Sequence, residues 1–137
     1  MGPDALFVYG SLRFPLVLRT LLNREPAASA ARVAGWRAVQ LPGRPYPALV
    51  PTGDSHHEVE GLLIEHLEPA EWRVLDDFED DVYELAQLPL TDGRTGWTYA
   101  CLDQAQIKAE AWDYEAFADN ELADYVQRCR EWVQHRP

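Results

Sequence analysis

The stretch VYELAQLPLTDGRTGWTYACL, residues 82–102, decides the fold class. VYELAQLPL alternates apolar and polar side chains, as a strand with one buried face does. TDGR (Thr91–Arg94) is a hairpin turn signal, and TGWTYACL returns as the partner strand. Sheet structure is therefore expected in the second half of the chain, with few helices around it.

The same reading extends outward. Ala5 to Tyr9 is a short, apolar, partly aromatic run that fits a buried strand, ended by Gly10-Ser11. Pro15 opens a helical segment, PLVLRTLL, at the position where a missing N–H costs least, and Asn23 closes it. A linker, REPAASAARV, feeds a second strand expected around Ala31 to Gln40. LPGRPYPALVPTGD, Leu41 to Asp54, carries four prolines and two glycines and reads as a loop, with Tyr46, Leu49 and Val50 packing down. Glu58 to His66 alternates toward a strand. Pro69 starts a short helix in which Trp72, Leu75 and Phe78 recur every three residues. Leu122, Tyr125, Val126, Cys129, Trp132 and Val133 form one face of a final helix over Asn120 to His135, with Asn120 as its N-cap. Strands with few helices between them, plus a hairpin, predict an α+β fold with a curved sheet or small barrel.

A chain of 137 residues with 47% apolar side chains predicts a single domain, 1–137, able to fold without metal or disulfide support. Its 12 basic and 23 acidic residues leave a net charge of −11. Such a surface repels phosphate backbones and anionic lipid, so neither nucleic acid nor membrane is expected as a partner. Cys101 and Cys129 form no CxxC pair and read as two unbridged thiols of a reducing compartment. Asp4 interrupts the opening, no basic lead precedes a long apolar run, and Leu6 breaks a myristoylation pattern. No run approaches the roughly 20 apolar residues of a membrane span. A cytoplasmic location is expected.

Two short stretches carry chemistry. In LDDFEDD, Leu75 to Asp81, five of seven residues are acids, crowded at a helix C-terminus where the macrodipole disfavours negative charge. Most of them read as a solvated acidic turn. Glu79 differs, because it follows Phe78, a core-facing aromatic. Desolvation and like charge should push its pKa up, which makes a carboxylate a general base near neutral pH. In FVYGSL, Phe7 to Leu12, a glycine at a strand end lets backbone approach a ligand, and the N–H groups of Gly10, Ser11 and Leu12 suit an anion. Ser11 lacks the partners of a nucleophile: His56, His57, His66 and His135 stand in no triad order, and no Gly-x-Ser-x-Gly elbow exists. The adjacent pair His56-His57 has no spaced third metal ligand.

In order, LFVYGSL, PYPALVP, VEGLLIEHL, LDDFEDDVYELAQLPL and GWTYACL resemble the gamma-glutamylcyclotransferase-like superfamily. More narrowly, the chain is similar to the short branch of gamma-glutamylamine cyclotransferases and avirulence-induced-gene-like proteins of plants. The resemblance implies an α+β fold: a small mixed β-barrel of about five to seven strands, flanked by a few short helices and a C-terminal helix. It implies conversion of a γ-glutamyl amine or γ-glutamyl peptide to 5-oxoproline and a free amine, without cofactor or metal. Glu79 would be the catalytic general base. Tyr9, Gly10, Ser11 and Leu12 would form the substrate loop, with Tyr46, Tyr83 and Tyr99 in the pocket wall. Two positions depart from the pattern: Leu85 stands where many relatives carry arginine, and Asp80 where a glycine follows the catalytic Glu. The partner expected is a small-molecule γ-glutamyl substrate; the oligomeric state is left open. The alternative is a non-catalytic member of the same fold that binds a small metabolite or a partner.

Overall fold

The computed structural model describes residues 5–40, 46–79, 83–101 and 111–136. Its centre is β1 (Ala5–Val8), buried along its whole length. β1 is flanked by β5 (Glu58–Glu65), antiparallel with Phe7 opposite Leu63, and by β7 (Thr95–Ala100), parallel with Leu6 opposite Trp97. β2 (Ala28–Ala34) and β6 (Glu84–Pro89) add the outer strands, giving the five-stranded order β2-β5-β1-β7-β6. The expected hairpin is β6–β7, with Leu88 opposite Gly96.

The sheet curls until its two outer strands approach one another. Beyond β6, the Thr91 N–H donates to Arg32 O on β2 (3.0 Å), and the Arg94 guanidinium donates to Ser29 Oγ (2.7 Å) and Ala30 O (2.9 Å). The fold is thus the expected mixed α+β one, with a curled sheet whose strands are not laced into a closed barrel. A two-stranded ribbon, β3 (Trp36–Gln40) with β4 (Pro47–Pro51), lies alongside and is tied to β7 by the Cys101 N–H on Leu49 O (3.1 Å).

Three local readings are corrected. The single strand expected over Ala31–Gln40 is two, because Gly35 turns the chain at φ 86° between β2 and β3. The stretch expected as loop contains β4; its prolines, Pro47 and Pro51, stand at the first and last positions, where a strand tolerates a missing N–H. Residues 41–45 of that stretch lie outside the described residues. Asn120 does not cap the last helix. It ends a separate short helix, α3 (Tyr114–Asn120), which Asp113 caps by accepting the Ala116 N–H at 2.9 Å. The last helix, α4 (Leu122–Gln134), starts after Glu121.

The remaining helices are α1 (Pro15–Leu22), closed by Asn23 in the left-handed region (φ 58°), and α2 (Pro69–Phe78). Alternation along β1 divides the core. Leu6 and Val8 face a layer built with Val17, Leu18, Leu75, Val126 and Cys129 of the helices. Phe7 and Tyr9 face the inside of the curl with Val33, Leu49 and Leu63. The end of β1 is where these layers meet. Among the described residues, no helix is long and apolar enough to cross a membrane.

Candidate active site

β1 stops at Val8, and the chain makes a 3-10 turn over Ser11–Arg13 before α1. The turn's own hydrogen bonds come from later amides: the Arg13 N–H donates to Gly10 O (3.0 Å) and the Phe14 N–H to Ser11 O (3.3 Å). The leading amides of such a turn have no internal acceptor. Ser11 is buried, and its hydroxyl donates to the Tyr125 hydroxyl of α4 at 3.0 Å. That bond pins the turn to the last helix.

Glu79 is the C-cap of α2, with its N–H on Leu75 O at 3.0 Å. It shares a cavity of about 240 Å³ with Tyr9, Gly10, Ser11, Leu12, Tyr46, Tyr83 and Tyr99. All eight residues singled out from the sequence therefore line one space, although they come from four separate parts of the chain. Among the described lining residues Glu79 is the carboxylate and Arg128 the cation; most of the rest are aromatic or apolar.

The tyrosines are held by their own hydroxyls. Tyr9 donates to Tyr99 O, Tyr83 to Pro47 O, and Tyr99 to the Asp76 carboxylate. The ring of Tyr46 sits 6.2 Å from that of Tyr83 and 6.3 Å, edge-on, from that of Tyr125. Burial pushes the phenols of Tyr9, Tyr83, Tyr99 and Tyr125 well above their ordinary value, and the charge of Glu79 raises each further. They are neutral hydroxyls at any working pH.

Gly10 needs its missing side chain for a packing reason as well. A Cβ there would lie 2.7 Å from both Cδ and Cγ of Pro47, so the proline ring already fills the space. Of the acids beside Glu79, Asp76 holds the Tyr99 hydroxyl and Asp77 accepts from Arg136 at 2.9 Å; Asp80 and Asp81 lie outside the described residues.

The sequence reading missed the α4 wall. Tyr125, Arg128, Cys129 and Trp132 line the cavity at spacing i, i+3, i+4, i+7, one helical face. An exposed arginine beside an apolar stripe carries no signal by itself. Cys129 and Cys101 are buried and unbridged, and burial pushes the Cys129 thiol up to about 12. Among the described residues, no group of three or more His, Cys, Asp or Glu is placed to hold a metal ion.

Comparison with known proteins gives a consistent picture. The family model described as gamma-glutamyl cyclotransferase, AIG2-like, matches residues 6–117. AIG2-like protein C of Arabidopsis thaliana is 31% identical, over 96% of this chain and 78% of that protein. AIG2-like protein D of the same plant is 30% identical, over 95% and 89%. Among solved structures, an Arabidopsis thaliana protein studied in solution aligns with a TM-score of 0.69 at 26% identity, covering 98% of this chain and 84% of that one. A structure titled gamma-glutamyl cyclotransferase aligns with a TM-score of 0.53 at 14% identity, covering 94% and 87%, a likeness of fold.

Proposed function

The chain belongs to the gamma-glutamyl cyclotransferase, AIG2-like, family, and we propose that it is a working cyclotransferase that turns a γ-glutamyl amide into 5-oxoproline and a free amine. The observation that carries this reading is the convergence of Glu79 and the Gly10–Leu12 turn on one aromatic cavity.

The reaction asks for little covalent help from the protein. The substrate's α-nitrogen attacks its own γ-carbonyl carbon, so a C–N bond forms within one molecule and a five-membered ring closes. The amide C–N bond then breaks and the amine leaves. Such a reaction gains most from being folded into the attacking conformation, and a small cavity walled by fixed rings suits that task. The α-amine arrives protonated and cannot attack until it loses a proton. Glu79, as the carboxylate of the cavity, takes that proton and later delivers one to the leaving nitrogen, so the carboxylate is regenerated. The carbonyl oxygen gains negative charge on attack. The leading amides of the 3-10 turn are the donors aimed at it. Tyr83 and Tyr99, tethered by their hydroxyls, keep the rings in place around the folded substrate.

The test is a screen of γ-glutamyl amines and peptides for 5-oxoproline release, followed by Glu79→Gln on whichever compound the wild type accepts. The amide keeps the shape and removes the base, so turnover should fall by roughly 10²–10⁴-fold, the usual worth of a general base, with the fold retained. Activity of the variant within about threefold of wild type, far below that range, would mean that the proton goes elsewhere. Binding of 5-oxoproline with no turnover of any γ-glutamyl compound would favour a metabolite-binding member instead.

A further inference from the structure

Arg128 has no role in the cyclisation as written. It lies on the cavity face of α4, three residues after Tyr125 and four before Trp132. It lines both the inner cavity and an outer groove bounded by Asp77, Glu131, Trp132, His135 and Arg136, so it stands where the two join. Two other arginines nearby are engaged: Arg136 bonds Asp77 and covers the Trp132 ring, and Arg13 lies over Tyr114. Arg128 makes no hydrogen bond or ion pair with a described residue. Among the described lining residues of the cavity it is the cation.

We infer that Arg128 is the anchor for the α-carboxylate of the bound γ-glutamyl group, and so the residue by which the site selects an amino acid over a plain amide. The inference rests on the cyclotransferase reading and adds to it. A γ-glutamyl group brings three polar ends into the cavity. Its ammonium goes to Glu79 and its carbonyl to the turn. Its carboxylate would otherwise meet phenol and indole rings beside a fixed negative charge, in a protein of net charge −11. A guanidinium supplies the opposite charge together with two parallel N–H donors matched to a carboxylate. Its place at the mouth fits a ligand whose charged end enters last. The proposal requires α4 to be part of the site, which the Ser11–Tyr125 hydrogen bond secures.

The experiment titrates two probes, 5-oxoproline and 2-pyrrolidinone, which differ only by the carboxylate, into wild type, R128Q and R128K. A charged hydrogen-bonded pair predicts that wild type binds 5-oxoproline roughly ten- to a hundredfold more tightly than 2-pyrrolidinone. R128Q should lose that preference to within about threefold, and R128K, a point charge without the fork, should keep part of it. Far-UV circular dichroism should be unchanged, since Arg128 is exposed. If R128Q keeps the full preference while the wild type turns over γ-glutamyl amides, the anchor lies elsewhere and this inference alone fails. A dependence on Arg128 seen only with substrates whose leaving amine bears a carboxylate, and not with 5-oxoproline, also overturns it. If neither probe binds and no γ-glutamyl amide is turned over, the cyclotransferase reading fails and the anchor with it.

Discussion

Gly10→Ala adds one methyl group where the structure has no room. The new carbon would lie 2.7 Å from Pro47 Cδ and Cγ, against roughly 3.5–4.0 Å for carbons in comfortable contact. About 1 Å of overlap has to be relieved. The atoms on the other side belong to a closed ring, so no rotamer change removes them. Pro47 is fully buried, is paired with Gln40 in the β3–β4 ribbon, and accepts the Tyr83 hydroxyl through its carbonyl. Relief therefore means moving the ribbon or the 3-10 turn. Overpacking of this kind costs about 1–3 kcal/mol. The stiffer alanine in the unfolded chain offsets at most about 1 kcal/mol of that. A net loss of about 1–2 kcal/mol, with a urea slope near 2 kcal/mol/M, lowers the unfolding midpoint by about 0.5–1 M. Activity should suffer more than stability. Both the turn amides and Tyr83 shift, and a 1 Å misplacement at a reacting centre costs about a hundredfold.

The assay pairs urea unfolding with 5-oxoproline release, and adds Pro47→Ala and the double variant. If the ring is what the methyl meets, the double variant should be more stable than the two single effects predict, by about 1 kcal/mol or more. An unchanged midpoint for Gly10→Ala, or strictly additive effects in the cycle, would refute the clash and return Gly10 to a plain turn glycine.

Glu71 accepts from Arg24 Nε at 2.6 Å and from the Glu68 N–H at 3.0 Å, and the Arg24 contact chiefly holds its pKa below the ordinary 4.5. A depressed folded-state pKa gives stability that is complete above the unfolded value and is lost as pH falls through the folded one. Wild type should thus weaken below about pH 4.5 more steeply than Glu71→Gln, in unfolding midpoints measured from pH 6 to 3; parallel curves would contradict this. Cys129, with its thiol near 12, should react with iodoacetamide at pH 8 on the order of 10³-fold more slowly than an exposed cysteine, because the thiolate is the nucleophile. Labelling of the folded protein at the rate of the unfolded one, read by mass, would mean the site opens freely.

What was legible in the sequence follows from which forces act locally. β5 declares itself because one face is buried and the other largely exposed, which writes an alternation into the chain, and β6 and β7 because a turn signal joins two strand-like runs. β4 does not. Both its ends are proline, a residue that ordinarily argues against a strand, and it is kept by pairing with β3 and by the Cys101 N–H, neither of which a local pattern records. The split at Gly35 is a single backbone torsion inside an apolar run. The candidate site divides in the same way. The Gly10–Leu12 turn and Glu79 stand in short motifs, each weak alone, whose order along the chain carries the family resemblance. The α4 wall enters through a hydrogen bond spanning 114 positions, Ser11 to Tyr125. An apolar stripe read along a helix counts the residues that match and passes over the one that does not. Arg128 is exposed at the edge of that stripe, where α4 borders the cavity. An exposed arginine beside an apolar stripe carries no signal by itself, so the place of Arg128 at the cavity became legible only once the fold had brought α4 to the end of β1.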